Sequence, residues 1–437
     1  MIAHRYVERL RSVETRARTG RVTKILPTYV EADGPDLPLG ALCTVETQGG
    51  GGLVAEVARV DSDRVVLVPL NEGPPTFWNA SIRACAQADR VPVGDGLLGR
   101  AVDGVGRPID GCGPLLTDLT GPLEGAETSP LDRTTPREML ATGIRAIDGL
   151  LTLGRGQRVG VFAASGVGKT SLMTQLARQM DADRIILCLV GERGREVEAL
   201  WSGGLSEEAK QRSVMVAATS EQPAAMRARA GKFALALAEH WRGVGHHVVL
   251  LLDSVTRLAM ALREIGLAAG EPPTVRAYTP GVFAAIPKIV ERCGALRTGG
   301  AISAIMTVLS ETDEVDDPIA ELMKSLLDGH ILLSRNLAEQ GHFPAIDVPK
   351  SISRLAGHLA SPELRKAAEE TVMLLSAYEG ARTMLETGVY AQGTNADVDR
   401  AIARRPALIG FLRQRQDESS SLAECRSALS VALGGAA

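Results

Sequence analysis

VGVFAASGVGKTSLM, Val159 to Met173, is the stretch whose reading decides the fold. Val159 to Ala163 has the pattern of a buried strand, a glycine-containing turn follows, and a helical pattern starts near Lys169. Such a corner aims backbone N–H groups and the positive end of a helix at one spot. Ser165, Gly166, Val167, Gly168, Lys169, Thr170 and Ser171 are therefore the candidate phosphate cradle. Lys169 supplies a mobile positive charge for outer phosphates, and the Thr170 hydroxyl is placed to hold Mg2+. The usual pattern has glycine six residues before the lysine, where this chain has Ala163. A plain strand–turn–helix corner with a stray lysine is the alternative. The hydrophobic run, the Gly-x-Gly-Lys-Thr turn and the helix pattern agree against it.

A chain of 437 residues is long enough for more than one domain. With 45% hydrophobic and 23% charged residues, its composition is that of an ordinary soluble protein. A net charge of −4 excludes a polyanion binder built on overall charge, and 3% aromatics argues against base-stacking platforms. No nucleic-acid partner is expected. Cys43, Cys85, Cys112, Cys188, Cys293 and Cys425 are scattered, so buried free thiols in a reducing cytosol are expected rather than a disulfide framework or zinc site. No stretch resembles a signal peptide or is apolar for long enough to span a bilayer, and a cytoplasmic protein is expected.

Outward from the central stretch, residues 2–18 have helical spacing, with Ile2, Tyr6, Leu10 and Val13 on one face and arginines on the other. From Gly20 to Ala88, short strands GRVTKIL, ALCTVET, LVAEVARV and RVVLVPL are separated by Gly and Pro clusters, which predicts a small antiparallel barrel. Gly94 to Gly111 is a string of turns, read as the passage into the next domain. From Thr142 to Ser353, strands at Arg158–Ala164, Arg184–Val190, Ser213–Ala217, Val248–Leu252 and Ala301–Leu309 alternate with helical patterns such as Glu221–Trp241. Apolar strands with helices between them imply a parallel sheet covered on both faces. The remainder is helical, starting at Ser361-Pro362, punctuated by Gly388 and Pro406, and ending in a helix marked by Leu422, Leu429 and Leu433.

Phosphoryl transfer to water needs a cradle, a metal, a positioned water and charge stabilisation. The strand VVLLLD ends in Asp253, where an acidic group on the magnesium side belongs; the alternative is a cap for the helix that follows. Glu192 lies just past the strand in IILCLVGERGRE, placed to polarise a water or, equally, to favour a helix dipole. Arg193 and Arg257 follow these acids, as γ-phosphate contacts or structural ion-pair partners.

ASGVGKTSLM (Ala164–Met173), VGERGREV (Val190–Val197), LLLDSVTRLAMALREIGLAAGEPP (Leu250–Pro273), LLDGHILLSRNLAEQGHFPAIDV (Leu326–Val348) and SISRL (Ser351–Leu355) carry a resemblance over nearly the whole length. The chain resembles the export ATPases of type III secretion systems, flagellar or injectisome, which are similar to the catalytic subunit of the rotary ATP synthase. The resemblance implies an α/β fold: a RecA-like P-loop ATPase core at 91–355, an N-terminal helix at 1–19, a β-barrel at 20–90 and a C-terminal helical domain at 356–437. It implies ATP and Mg2+ as ligands, with Glu192 polarising the water, Asp253 and Thr170 on the magnesium side, and Lys169, Arg193 and Arg257 near the γ-phosphate. Arg354 would be an arginine finger acting on the neighbouring subunit's site, and Phe343 would stack on adenine in place of the family's usual Tyr. The implied assembly is a homohexamer, with a stalk protein in a channel lined by Ala277 to Val282 and the acidic loop Asp313 to Asp317. A stator-like regulator would dock on the N-terminal helix, and substrates, chaperones and a membrane export gate at the other end, giving a peripheral place at the inner membrane. Two departures stand out: Ala164 where the family commonly has Gly, and Thr279-Pro280-Gly281 for an aromatic-rich segment. LPLGALC near the N-terminus leans toward flagellar use. An ATP synthase subunit, an RNA-translocating ring and an inactive nucleotide-binding subunit are the competing readings.

Overall fold

The computed structural model describes residues 18–85, 89–309 and 317–435. The helix expected at 2–18 and most of the acidic loop Asp313 to Asp317 lie outside these residues. Thr19 already belongs to a strand.

Six strands close into an antiparallel barrel: β1 (Thr19–Ile25), β2 (Val30–Ala32), β3 (Leu42–Glu46), β4 (Gly52–Val60), β5 (Val65–Pro69) and β6 (Ser81–Ala84). β4 shows the rule that builds it: Leu53, Ala55 and Val57 alternate inward onto Val22, Val45 and Ile82, and the residues between face outward. The sequence pattern located four of these strands. β2 and β6 have three and four residues, too few for an alternation to show.

The central sheet runs in the order Ile352–Ser353, Gly329–Leu333, Arg158–Ala163, Ala301–Leu309, His247–Asp253, Arg184–Val190, Ser213–Ala218, Ala101–Val102. All neighbours are parallel except the first pair. The inner strands are buried along almost their whole length, as expected for a sheet with helices on both faces. One expectation is corrected, and one strand is added. The passage at Gly94 to Gly111 is more than a connector, because Ala101–Val102 pairs with Met215 and Val216 and forms one edge of the sheet. Gly329–Leu333, a short strand of half-buried alternation, flanks the phosphate-loop strand and was not located from its pattern.

Three helices end the chain: Pro362–Glu386, Ala396–Leu412 and Leu422–Leu433. Ser361 caps the first, with Pro362 at its first position, where a missing N–H costs nothing. Pro406 does not punctuate; it sits inside Ala396–Leu412, whose Leu408, Phe411 and Leu412 are buried against the core. That burial outweighs one lost backbone bond. Gln414 ties this region to the core, accepting from Arg145 N at 2.8 Å and donating to Gly143 O at 2.7 Å. Four cysteines are buried, but Cys85 is half-buried and Cys112 exposed, against the expectation for them. No helix among the described residues is long and apolar enough to cross a membrane.

Candidate active site

The turn after the Arg158–Ala163 strand uses glycine where the backbone demands it. Gly166 and Gly168 have φ of 81° and 92°, the left-handed region that a side chain disfavours. Neither Ala163 nor Ala164 has positive φ, so both departures from the common pattern fall where alanine is tolerated. Val167 is buried and anchors the turn to the core, while Ser165, Gly166 and Thr170 face solvent and Ser171 is half-buried. Helix Lys169–Gln179 starts at Gly168 with no side-chain cap and no acid in its first turn. Its leading N–H groups are therefore open to an anion.

Strand order then brings together groups far apart in sequence. Asp253 ends its strand, and Glu192 lies two residues past the neighbouring strand. Lys169 Nζ lies 2.5 Å from Asp253 Oδ1 and 3.2 Å from Glu192 Oε1. Both acids are 4% exposed. Burying two carboxylates is costly unless a cation stays with them, and Lys169 supplies it. Asp253 is not the helix cap: Ser254 caps Val255–Ala268, accepting from Arg257 N. Glu192 lies ahead of helix Gly194–Glu198 and points to Lys169 instead of along that helix.

Arg257 Nε is 3.3 Å from Glu192 Oε1, without hydrogen-bond alignment, and its Nη1 donates to Gly191 O. Glu192 therefore sits between two cations. Arg193 stands apart, exposed and 3.8 Å from Glu196. The structure adds a residue the sequence did not single out: Thr307 Oγ1 donates to Asp253 Oδ1 at 2.6 Å and is fully buried. A β-branched residue in an apolar strand is ordinary, so no sequence signal marked it.

Phe343 is 46% exposed, so it is not a core aromatic. Its ring packs on the turn, with Cε1 3.4 Å from where a Cβ on Gly168 would stand. Beside it, burial and the Arg413 and Arg405 charges push the His342 imidazole down to about 4. Arg354 lies at the opposite end of the sheet. Its N–H donates to Asp328 O at 2.9 Å, and Asp328 pairs with Arg158, the first residue of the phosphate-loop strand. In the segment Ala277 to Val282, Gly281 N donates to Glu271 at 2.8 Å; of the acidic loop, Asp317 caps the next helix and pairs with Arg276 at 3.4 Å.

A Lys-Thr turn opening a helix, with two strand-end carboxylates on its lysine, defines a P-loop nucleotide hydrolase. The ATP synthase alpha/beta family nucleotide-binding domain matches residues 143–353, and the T3SS EscN ATPase C-terminal domain matches 360–431. The flagellum-specific ATP synthase of Bacillus subtilis (strain 168) is 42% identical, over 95% of each chain. The type 3 secretion system ATPase of Sinorhizobium fredii is 43% identical over 94% of this chain and 91% of the relative. The assembled ATPase EscN of enteropathogenic E. coli, solved with its central stalk EscO, superposes with a TM-score of 0.87 at 36% identity, covering 95% of this chain and all of that one. The chain belongs to this family of flagellar and type III secretion ATPases, and it is an ATP-hydrolysing enzyme with a RecA-like core, a barrel before it and a helical region after it.

Proposed function

We propose that the chain is the ATP-driven motor of a type III protein export apparatus, flagellar rather than injectisome, that releases substrates from their chaperones for export. The convergence of Lys169 on Glu192 and Asp253 supports this most directly. Glu192, held between Lys169 and Arg257, orients and polarises the attacking water. Lys169 and the first N–H groups of its helix hold the phosphates, with Arg257 as the nearby guanidinium group and Arg193 turning in from its exposed position beside Glu196. Phe343, exposed beside Gly168, offers its face to adenine. The oxygen donors Thr170 and Asp253 suit Mg2+, which binds few protein ligands and would neutralise charge on the phosphates.

Arg354 completes a neighbouring subunit's site, which requires a ring; we propose a homohexamer around a coiled-coil stalk. The assembled EscN with its stalk supports that arrangement. A stator-like regulator on residues 1–19, an export gate beyond the C-terminal helices and a peripheral place at the inner membrane complete the reading. The proposed limits are 20–90 for the barrel, 91–355 for the ATPase core and 356–437 for the helical domain. LPLGALC supports the flagellar choice. A strain lacking the chain is expected to lose motility, and Glu192→Gln is expected to bind nucleotide without turnover and leave motility unrestored. Intact motility with lost effector secretion would move the chain to an injectisome. Wild-type turnover by Glu192→Gln would remove that residue from the mechanism.

A further inference from the structure

We propose that Thr307 is a positioning residue for ATP hydrolysis: its hydroxyl orients the Asp253 carboxylate for magnesium. This rests on the ATPase reading above. Thr307 lies on the Ala301–Leu309 strand, between the phosphate-loop strand and the Asp253 strand. The register places Val161 opposite Thr307 on one side and Leu252 opposite Met306 on the other, so Thr307 falls beside the end of the Asp253 strand.

A threonine hydroxyl has one proton to donate. Two acceptors are in range: Leu252 O at 3.5 Å and Asp253 Oδ1 at 2.6 Å. The short contact to an ionised group is much the stronger, so the proton goes to Asp253. Lys169 Nζ meets the same oxygen, and Oδ2 takes part in neither bond. The two partners differ in kind. Lys169 is a long, mobile chain that also meets Glu192, whereas Thr307 is β-branched, fully buried and fixed by its strand. Thr307 is thus the partner that stays with Asp253 when Lys169 turns to phosphate. It pins Oδ1 and leaves Oδ2 for the metal's water shell.

The test uses the full chain with threonine replaced by valine, which keeps the shape and removes the hydroxyl, and by serine, which keeps the hydroxyl. Mg2+ dependence of turnover is measured, and separately the affinity for a fluorescent ATP analogue in EDTA and in Mg2+. Thr307→Val is expected to raise the Mg2+ half-saturation roughly tenfold, about 1.4 kcal/mol, and to lose most of the Mg2+-dependent gain in nucleotide affinity. Its metal-free affinity is expected to stay within about twofold of wild type, and Thr307→Ser to keep most of the Mg2+ response. Mg2+ dependence unchanged in Thr307→Val, or equally lost in Thr307→Ser, would overturn the assignment. If Thr307→Val does not fold, Thr307→Ala carries the same comparison. Wild-type protein that binds no nucleotide would instead overturn the ATPase reading, so the two failures are distinct.

Discussion

Replacing Arg354 by alanine tests whether the site is completed by a second copy of the chain. Arg354 is bonded to Asp328, which pairs with Arg158, and the phosphate turn follows Ala163 at the other end of that strand. The strand rises about 3.3 Å per residue, so the ends are roughly 17 Å apart, beyond the reach of an arginine side chain. Arg354 therefore cannot act on its own Lys169, and an arginine finger in trans is the remaining catalytic role. Such a finger is worth about 10³ to 10⁵ in kcat. Arg354→Ala is expected to form the ring and hydrolyse ATP at least about 10³-fold more slowly, with Lys169→Ala also inactive. In an equal mixture, a Lys169-bearing subunit meets an Arg354-bearing neighbour at about one interface in four, because a ring contact is head-to-tail. Mixed rings are then expected to recover up to about a quarter of wild-type turnover, measured as steady-state phosphate release after subunit exchange. Native mass spectrometry would confirm mixing. Mixed rings that hydrolyse no faster than their parents at any ratio would refute the trans assignment.

Phe343→Ala is expected to weaken nucleotide binding about tenfold, since stacking on a base is worth about 1–3 kcal/mol. Phe343→Tyr is expected to keep the affinity in a fluorescent-nucleotide titration, and unchanged binding by Phe343→Ala would return this exposed ring to simple packing. Stability should also depend on pH through Asp148, a buried carboxyl that accepts from Thr142 N, Thr142 Oγ1 and Gly143 N. Burial raises it from 3.8 to about 6 against those donors. A raised carboxyl favours the folded state most when protonated, so its contribution is full below about pH 4 and lost as pH rises through about 6. That loss is of order 3 kcal/mol. Wild-type Tm relative to Asp148→Asn should fall between pH 4 and pH 7, and a difference independent of pH would refute the assignment.

Much of this protein is local in origin and so could be read directly from its residues. The phosphate turn is contiguous, and its left-handed positions fall on Gly166 and Gly168 because only glycine adopts them without strain. Long apolar runs such as His247–Asp253 announce buried strands, and Ser361-Pro362 announces a helix start. The short barrel strands β2 and β6, and the edge strand Ala101–Val102, leave no such mark, because a few residues can satisfy any pattern.

The site itself is a product of strand order, which no local window contains. Only with the Ala301–Leu309 strand inserted between the phosphate-loop strand and the Asp253 strand does Thr307 reach Asp253. Only the packed sheet brings Glu192 and Asp253 onto one lysine, or lays Phe343 against Gly168. The same register carries Arg354 to the far end from the turn. Residue types and turns follow from backbone sterics and side-chain chemistry along the chain. Which of them meet follows from burying the inner strands on both faces, and that condition exists only once the whole sheet has formed.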